Sequence, residues 1–179
     1  MNTLKTIAAL IDKLNDTAGQ IFAWLSLAMV LVQFLVVVER YVFGIGSVWT
    51  QESIVYMHGT MFMVLAGYTL RHNEHVRVDI IYSTASPAYK AIIDLLGTVM
   101  FLWPVCYLIF SVSLSYVESA WSVLEGSKET SGIQGVYLLK SVILVFCVLL
   151  ALQGLSTVLH SIRILSGAET PPDKPLPAV

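Results

Sequence analysis

The chain has 179 residues, 56% of them hydrophobic and only 12% charged, and its mean hydropathy is +0.77. Soluble domains carry roughly 25% charged residues, so the composition speaks against a water-soluble fold. A net charge of −2 leaves no basic footprint for nucleic acid.

The acids and bases leave four windows free of Asp, Glu, Lys and Arg, at residues 17–38, 53–70, 95–117 and 141–162. They run 22, 18, 23 and 22 residues, and about 20 apolar residues cross the roughly 30 Å of bilayer hydrocarbon. Strands of a membrane barrel would alternate in hydropathy over about ten residues, whereas these windows are apolar all round. The expected fold is therefore all-α, an integral membrane domain over residues 17–163 with helices at about 20–38, 53–70, 91–117 and 136–162.

Ahead of the first span, Leu4, Ile7, Ile11 and Leu14 recur at helical spacing, with Lys5, Asp12, Lys13 and Asp16 on other faces. Residues 1–16 are expected to form an amphipathic helix that either lies on the headgroups or docks on a partner. The first span ends Val38-Glu39-Arg40 without a small-residue cleavage site and is expected to remain uncleaved. The loop that follows carries Tyr41, Phe43 and Trp49, aromatics suited to a membrane interface. Thr50 can cap the second helix, with Glu52 in its first turn. Within that helix Gly59, Ala66 and Gly67 make a small-residue seam that permits close helix approach.

Residues 71–79 are the most polar stretch before the tail and include Arg71, His72, Glu74, His75, Arg77 and Asp79. Their spacing matches no ordinary zinc motif, so a network of loop hydrogen bonds and ion pairs is expected, with no metal. Ser86-Pro87 reads as a cap with proline at the first helical position. The third helix carries Pro104 and a Ser111, Ser115, Ser119 ladder that reads as a second packing seam. Glu118 and Glu125 in and near the third loop are candidate partners for Lys140, which can snorkel out of the fourth helix. Cys106 and Cys147 fall at similar depth and read as small packing residues. Residues 164–179 hold four of the six prolines and are expected to be a disordered tail.

Seven of the ten Lys and Arg residues lie in the amino-terminal segment, the second loop and the tail, against three in the first and third loops. Positive residues stay inside, which places both termini in the cytoplasm. A stand-alone carrier needs an ionisable group near the bilayer centre, and no window holds a carboxylate. His58, read as an inter-helix hydrogen-bonding group, and Lys140 are the intramembrane candidates. No catalytic residue, cofactor or metal site is expected. A haem- or quinone-linked anchor of a respiratory enzyme is the alternative, and it would need histidines facing each other at one depth.

Several pieces in order resemble a known family. Arg40-Tyr41-Val42-Phe43, then Trp49 with Glu52, then Gly67-Tyr68-Thr69-Leu70-Arg71, then His75-Val76-Arg77-Val78-Asp79 follow the pattern of the small membrane (DctQ-type) subunits of tripartite ATP-independent periplasmic (TRAP) transporters. Glu125-Gly126-Ser127 and Lys140-Ser141 look like the subgroup labelled mannitol/chloroaromatic type, a label that does not fix a substrate. The resemblance implies a scaffold subunit in a bacterial or archaeal inner membrane. It implies as partners a large (M-type) transport subunit, a periplasmic substrate-binding protein and membrane lipid, and a sodium gradient driving uptake of organic acids bearing a carboxylate or sulfonate. The residues expected to serve structure or partner contact are Arg40, Trp49, Glu52, Gly59, Gly67, Arg71, His75, Arg77, Asp79, Glu125 and Lys140.

Overall fold

A computed structural model describes residues 2–75 and 85–170. Among them are four helices long and apolar enough to cross a membrane, and no strand. They are α1 (Asn2–Tyr41), α2 (Val48–Arg71), α3 (Pro87–Ser122) and α4 (Val136–Leu165). Helices are the economical answer in lipid, because every backbone N–H and C=O finds its partner within the segment.

α1 is continuous from the amino-terminal stretch through the first span. Phe22, Leu25, Met29, Val32 and Val36 form a half-buried stripe at alternating steps of three and four, the repeat that keeps one seam of a helix on its neighbours. α4 lies at the centre of the bundle and packs against each of the other three helices.

The helix ends are shaped by local sequence. Ser47, and not Thr50, caps α2, its hydroxyl accepting the Thr50 amide at 3.2 Å. Trp49 thus belongs to the first turn of the helix. Ser86 caps α3 with Pro87 at the first helical position. At the far end of α2, Asn73 is left-handed with φ 55°, and the amides of Asn73 and Glu74 return to the carbonyls of Leu70 and Thr69. Leu124 after α3 and Gly167 after α4 close their helices the same way, with φ of 46° and 71°. This paired return is the Schellman stop. It turns Glu125 back toward α4 and Glu169 back over the last turn of α4.

α3 contains one π-helical turn, Thr98–Leu102, immediately before Pro104. Proline lacks an N–H and its ring crowds the carbonyl four residues earlier. The widened turn relieves that conflict, with the Trp103 amide reaching the Thr98 carbonyl five residues back. The disturbance at Pro104 thus takes the form of a bulge, and the bulge has a partner. A Cβ on Gly154 of α4 would stand 2.6 Å from the Leu102 side chain and 3.0 Å from that of Thr98, so glycine lets the widened turn pack closely on α4. Trp103 Nε1 donates to the Ala151 carbonyl at 3.2 Å beside it.

Candidate functional site

Polar side chains collect at the two ends of the bundle. At the end holding both termini, Asp12 of α1 is the hub. Its carboxylate accepts from Ser156 Oγ at 2.6 Å and Gln153 Nε2 at 3.1 Å, and lies 3.2 Å from His160 Nε2, all on α4. Arg71 of α2 donates to the Asp12 backbone carbonyl at 2.7 Å and pairs with the Asp16 carboxylate. His72 Nε2 lies 3.1 Å from Asp16 and its ring is 4.3 Å from that of Tyr68. Glu169, brought back by the turn at Gly167, meets His160 Nδ1 at 2.8 Å and Arg163 at 2.7 Å. Acid and base alternate through the cluster, so each partly buried charge has an opposite neighbour. Without that pairing the desolvation of any one of them would be costly.

Beneath this cluster α1 and α2 approach closely. Asn15 is fully buried, and its Nδ2 donates to Gln153 Oε1 at 2.9 Å. Its Oδ1 has no hydrogen-bond partner among the described residues. A Cβ on Gly67 would lie 2.1 Å from that oxygen and 3.3 Å from the Leu149 carbonyl. The Cα–H that a side chain would replace therefore points at Asn15 Oδ1, a weak C–H···O contact. One turn along, a Cβ on Gly19 would run into the Tyr68 ring at 2.2 Å.

The opposite end is tied by the loop between α3 and α4. Glu52 of α2 accepts from Ser127 Oγ at 2.5 Å and from the Ile133 amide at 2.7 Å. Lys140, whose side chain is 14% exposed, pairs with Glu125 and stands 3.9 Å over the Tyr116 ring. Trp121 donates to Ser141 at 2.8 Å and packs edge-on against Tyr137. Between the two ends the spans carry no carboxylate. His58 faces out of the bundle, 6.2 Å from the Phe62 ring. It makes no inter-helix hydrogen bond among the described residues, which corrects the expectation for it.

The family model for the DctQ component of tripartite ATP-independent periplasmic transporters matches residues 29–164. The chain belongs to that family. Comparison with curated proteins and with solved structures gives no match. A DctQ component is part of a transporter and not an enzyme, and DctQ components work with a large membrane subunit and a periplasmic binding protein. The four apolar helices make this DctQ chain a multi-pass membrane protein. The match begins inside α1, so Asp12, Asn15, Asp16 and Gly19 precede it and Glu169 follows it.

Of the residues singled out in this DctQ chain from sequence, Glu52, Glu125 and Lys140 meet around the α3–α4 loop, while Gly67 and Arg71 sit at the terminal cluster. Gly59 faces Leu139 of α4, 3.2 Å from where a Cβ would stand. Arg40, Trp49 and His75 are exposed. Arg77 and Asp79 lie outside the described residues. The seam on α2 thus closes within the chain, onto α1 and α4. The serine ladder does not form a seam here: Ser111, Ser115 and Ser119 are exposed, and the hydroxyls of Ser111 and Ser119 bond their own helix. Sequence reasoning missed Asn15, Gln153, Ser156 and Glu169, and it gave Asp12, Asp16 and His160 no role in a shared cluster. A signal was present, since Gln153, Ser156 and His160 fall at steps of three and four on one face of an otherwise apolar helix.

Proposed function

We propose that this chain is the scaffold subunit of a TRAP-type importer in a bacterial or archaeal inner membrane, with both termini cytoplasmic. In this reading the large membrane subunit carries the substrate and sodium sites. A periplasmic binding protein delivers an organic acid bearing a carboxylate or sulfonate, and the sodium gradient drives uptake. The observation that carries the reading is where the polar groups are spent. Arg71, Lys140, His160 and Arg163 each meet a carboxylate within the chain, and the charge-free windows between the two ends hold no carboxylate. Sodium coupling needs several oxygen ligands at a water-accessible site near the midplane, usually at broken helices with freed carbonyls. The one irregular turn among the described spans, at Thr98–Leu102, is filled by α4 at Gly154. Trp49, exposed at the end away from the termini, is then available to the large subunit or the binding protein.

The test is reconstitution. Vesicles holding this chain alone should take up no organic acid under an imposed sodium gradient, whereas vesicles holding both membrane subunits, with binding protein added, should. Uptake by this chain alone would overturn the scaffold assignment. Uptake by the full set that ignores the sodium gradient would overturn the coupling.

A further inference from the structure

At the end of the bundle away from the termini, the loop joining α1 to α2 encloses an open cleft of about 410 Å³, lined by Arg40, Gly44, Ile45, Gly46, Val48 and Gln51. Pockets for small ligands fall at roughly 300–1,000 Å³, so a headgroup fits. The cleft is unplugged, for a Cβ on Gly44 or Gly46 would meet nothing within 4 Å. Arg71, Arg163 and Lys140 each rest on a carboxylate. Arg40 has no acidic partner among the described residues.

Depth and surroundings say what a free guanidinium here would meet. Arg40 stands two residues beyond the charge-free window that ends at residue 38, about 3 Å further along a helix, at the level of the headgroups. Val30, Phe34, Val37 and Tyr41 are all exposed and recur at steps of four, three and four, so they make one apolar track along the last turns of α1, the helix that carries Arg40. Trp49, next in the chain to the lining residue Val48, is also exposed, as suits an interfacial aromatic.

We propose that this cleft binds the phosphate of a membrane phospholipid, with Arg40 as its charge partner and an acyl chain lying along the Val30–Tyr41 track. The guanidinium fork matches two phosphate oxygens at once. The phosphodiester keeps its negative charge throughout the physiological range, so occupancy does not depend on pH there. A soluble anion offers the same oxygens but nothing to cover the track, and a protein partner would bring carboxylates in place of phosphate.

The test uses the full chain, delipidated in detergent and titrated under native mass spectrometry with phosphatidylglycerol, with diacylglycerol of the same chains, and with glycerol 3-phosphate. One phosphatidylglycerol should bind with an apparent affinity about tenfold above that of Arg40→Gln, the scale of one charge-assisted contact. Gly46→Leu, which fills the cleft and leaves Arg40 in place, should lose affinity similarly, and Lys128→Ala should behave as wild type. Equal phosphatidylglycerol affinity in wild type and both cleft variants would overturn the proposal. So would diacylglycerol binding as well as the phospholipid, or glycerol 3-phosphate binding as tightly, which would make this a soluble-anion site. A binding protein whose capture is lost in Arg40→Gln while lipid affinity is unchanged would assign the cleft to protein docking instead.

Discussion

The Asp12 carboxylate lies 3.2 Å from Nε2 of His160, joining residues 148 apart in the chain. The same carboxylate holds Ser156 and Gln153, so a single acid fastens the start of α1 to the end of α4. Asp12→Ala should remove all three bonds at once. A hydrogen bond to a charged group contributes about 1.5–3 kcal/mol, the three are not additive, and water can replace part of the loss at a side chain 15% exposed. A net destabilisation of about 2–4 kcal/mol is expected. Thermal unfolding in detergent should show Asp12→Ala well below wild type, with Asp12→Asn between them because it keeps an acceptor. Superimposable melting of Asp12→Ala and wild type would mean that the cluster does not hold the ends together.

The contact of Gly67 with Asn15 predicts an effect from a single methyl group. In Gly67→Ala the new Cβ would stand 2.1 Å from Asn15 Oδ1 and 3.3 Å from the Leu149 carbonyl, so the buried Asn15 side chain, or α1 with it, must shift. In Gly59→Ala the nearest atom is the end of a flexible leucine at 3.2 Å, which can swing aside. Gly67→Ala should cost about 1–3 kcal/mol, as overpacking does, and Gly59→Ala should stay within about 0.5 kcal/mol of neutral. Combining Gly67→Ala with Asn15→Ala should recover part of the loss, a coupling of about 1 kcal/mol or more between residues in contact. Strict additivity in that cycle would remove the contact from the account.

The four spans were legible because a bilayer imposes a length and a ban on charge that composition alone reveals. The ends of the helices were less so, since α1 and α3 continue well past the hydrocarbon, where water tolerates charge and the sequence gives no gap. The terminal cluster was legible only in part. Leu4, Ile7, Ile11 and Leu14 read as one apolar face, yet Ile11 is buried while the other three are exposed. The buried face is Ala8, Ile11 and Asn15, chosen because α4 presents Gln153, Ser156 and His160 there and those groups require partners. A pattern confined to one helix cannot show what another helix demands of it.

Glu52 ties α2 to the loop before α4, and its loss should be felt in that loop more than in overall stability. Its two oxygens accept the Ser127 hydroxyl and the Ile133 amide, holding residues 127–133 against α2 just past its first turn, where Glu52 sits once Ser47 caps the helix. Glu52→Ala should free the Ile133 amide to exchange. Hydrogen exchange read by mass spectrometry should rise by about tenfold or more across residues 127–133, the effect of losing a charged acceptor, and stay flat in the spans. Unchanged exchange of the loop would show that Glu52 does not anchor it.

Four helices place both termini at one end of the bundle, and the Asp12 to His160 contact confirms that the start of α1 and the end of α4 meet there. Which side of the membrane that end faces rests on charge. Among the described residues Lys5, Lys13, Arg71, Lys90 and Arg163 lie at the end where α1 begins and α4 ends, and Arg40, Lys128 and Lys140 at the other; with Arg77 and Lys174 the sequence count is seven to three, and retention of cations in the cytoplasm during insertion predicts cytoplasmic termini. Thr130 and Thr170 are both exposed, and neither carries charge, so replacing each in turn by cysteine leaves the bias intact. The native Cys106 and Cys147 are 4% and 2% exposed and give little background. In intact spheroplasts an impermeant maleimide should label Thr130→Cys and spare Thr170→Cys until the membrane is opened. The reverse pattern would invert the orientation. Equal labelling of both in intact cells would indicate a mixed population, and the seven-to-three bias would then be too weak to orient the chain.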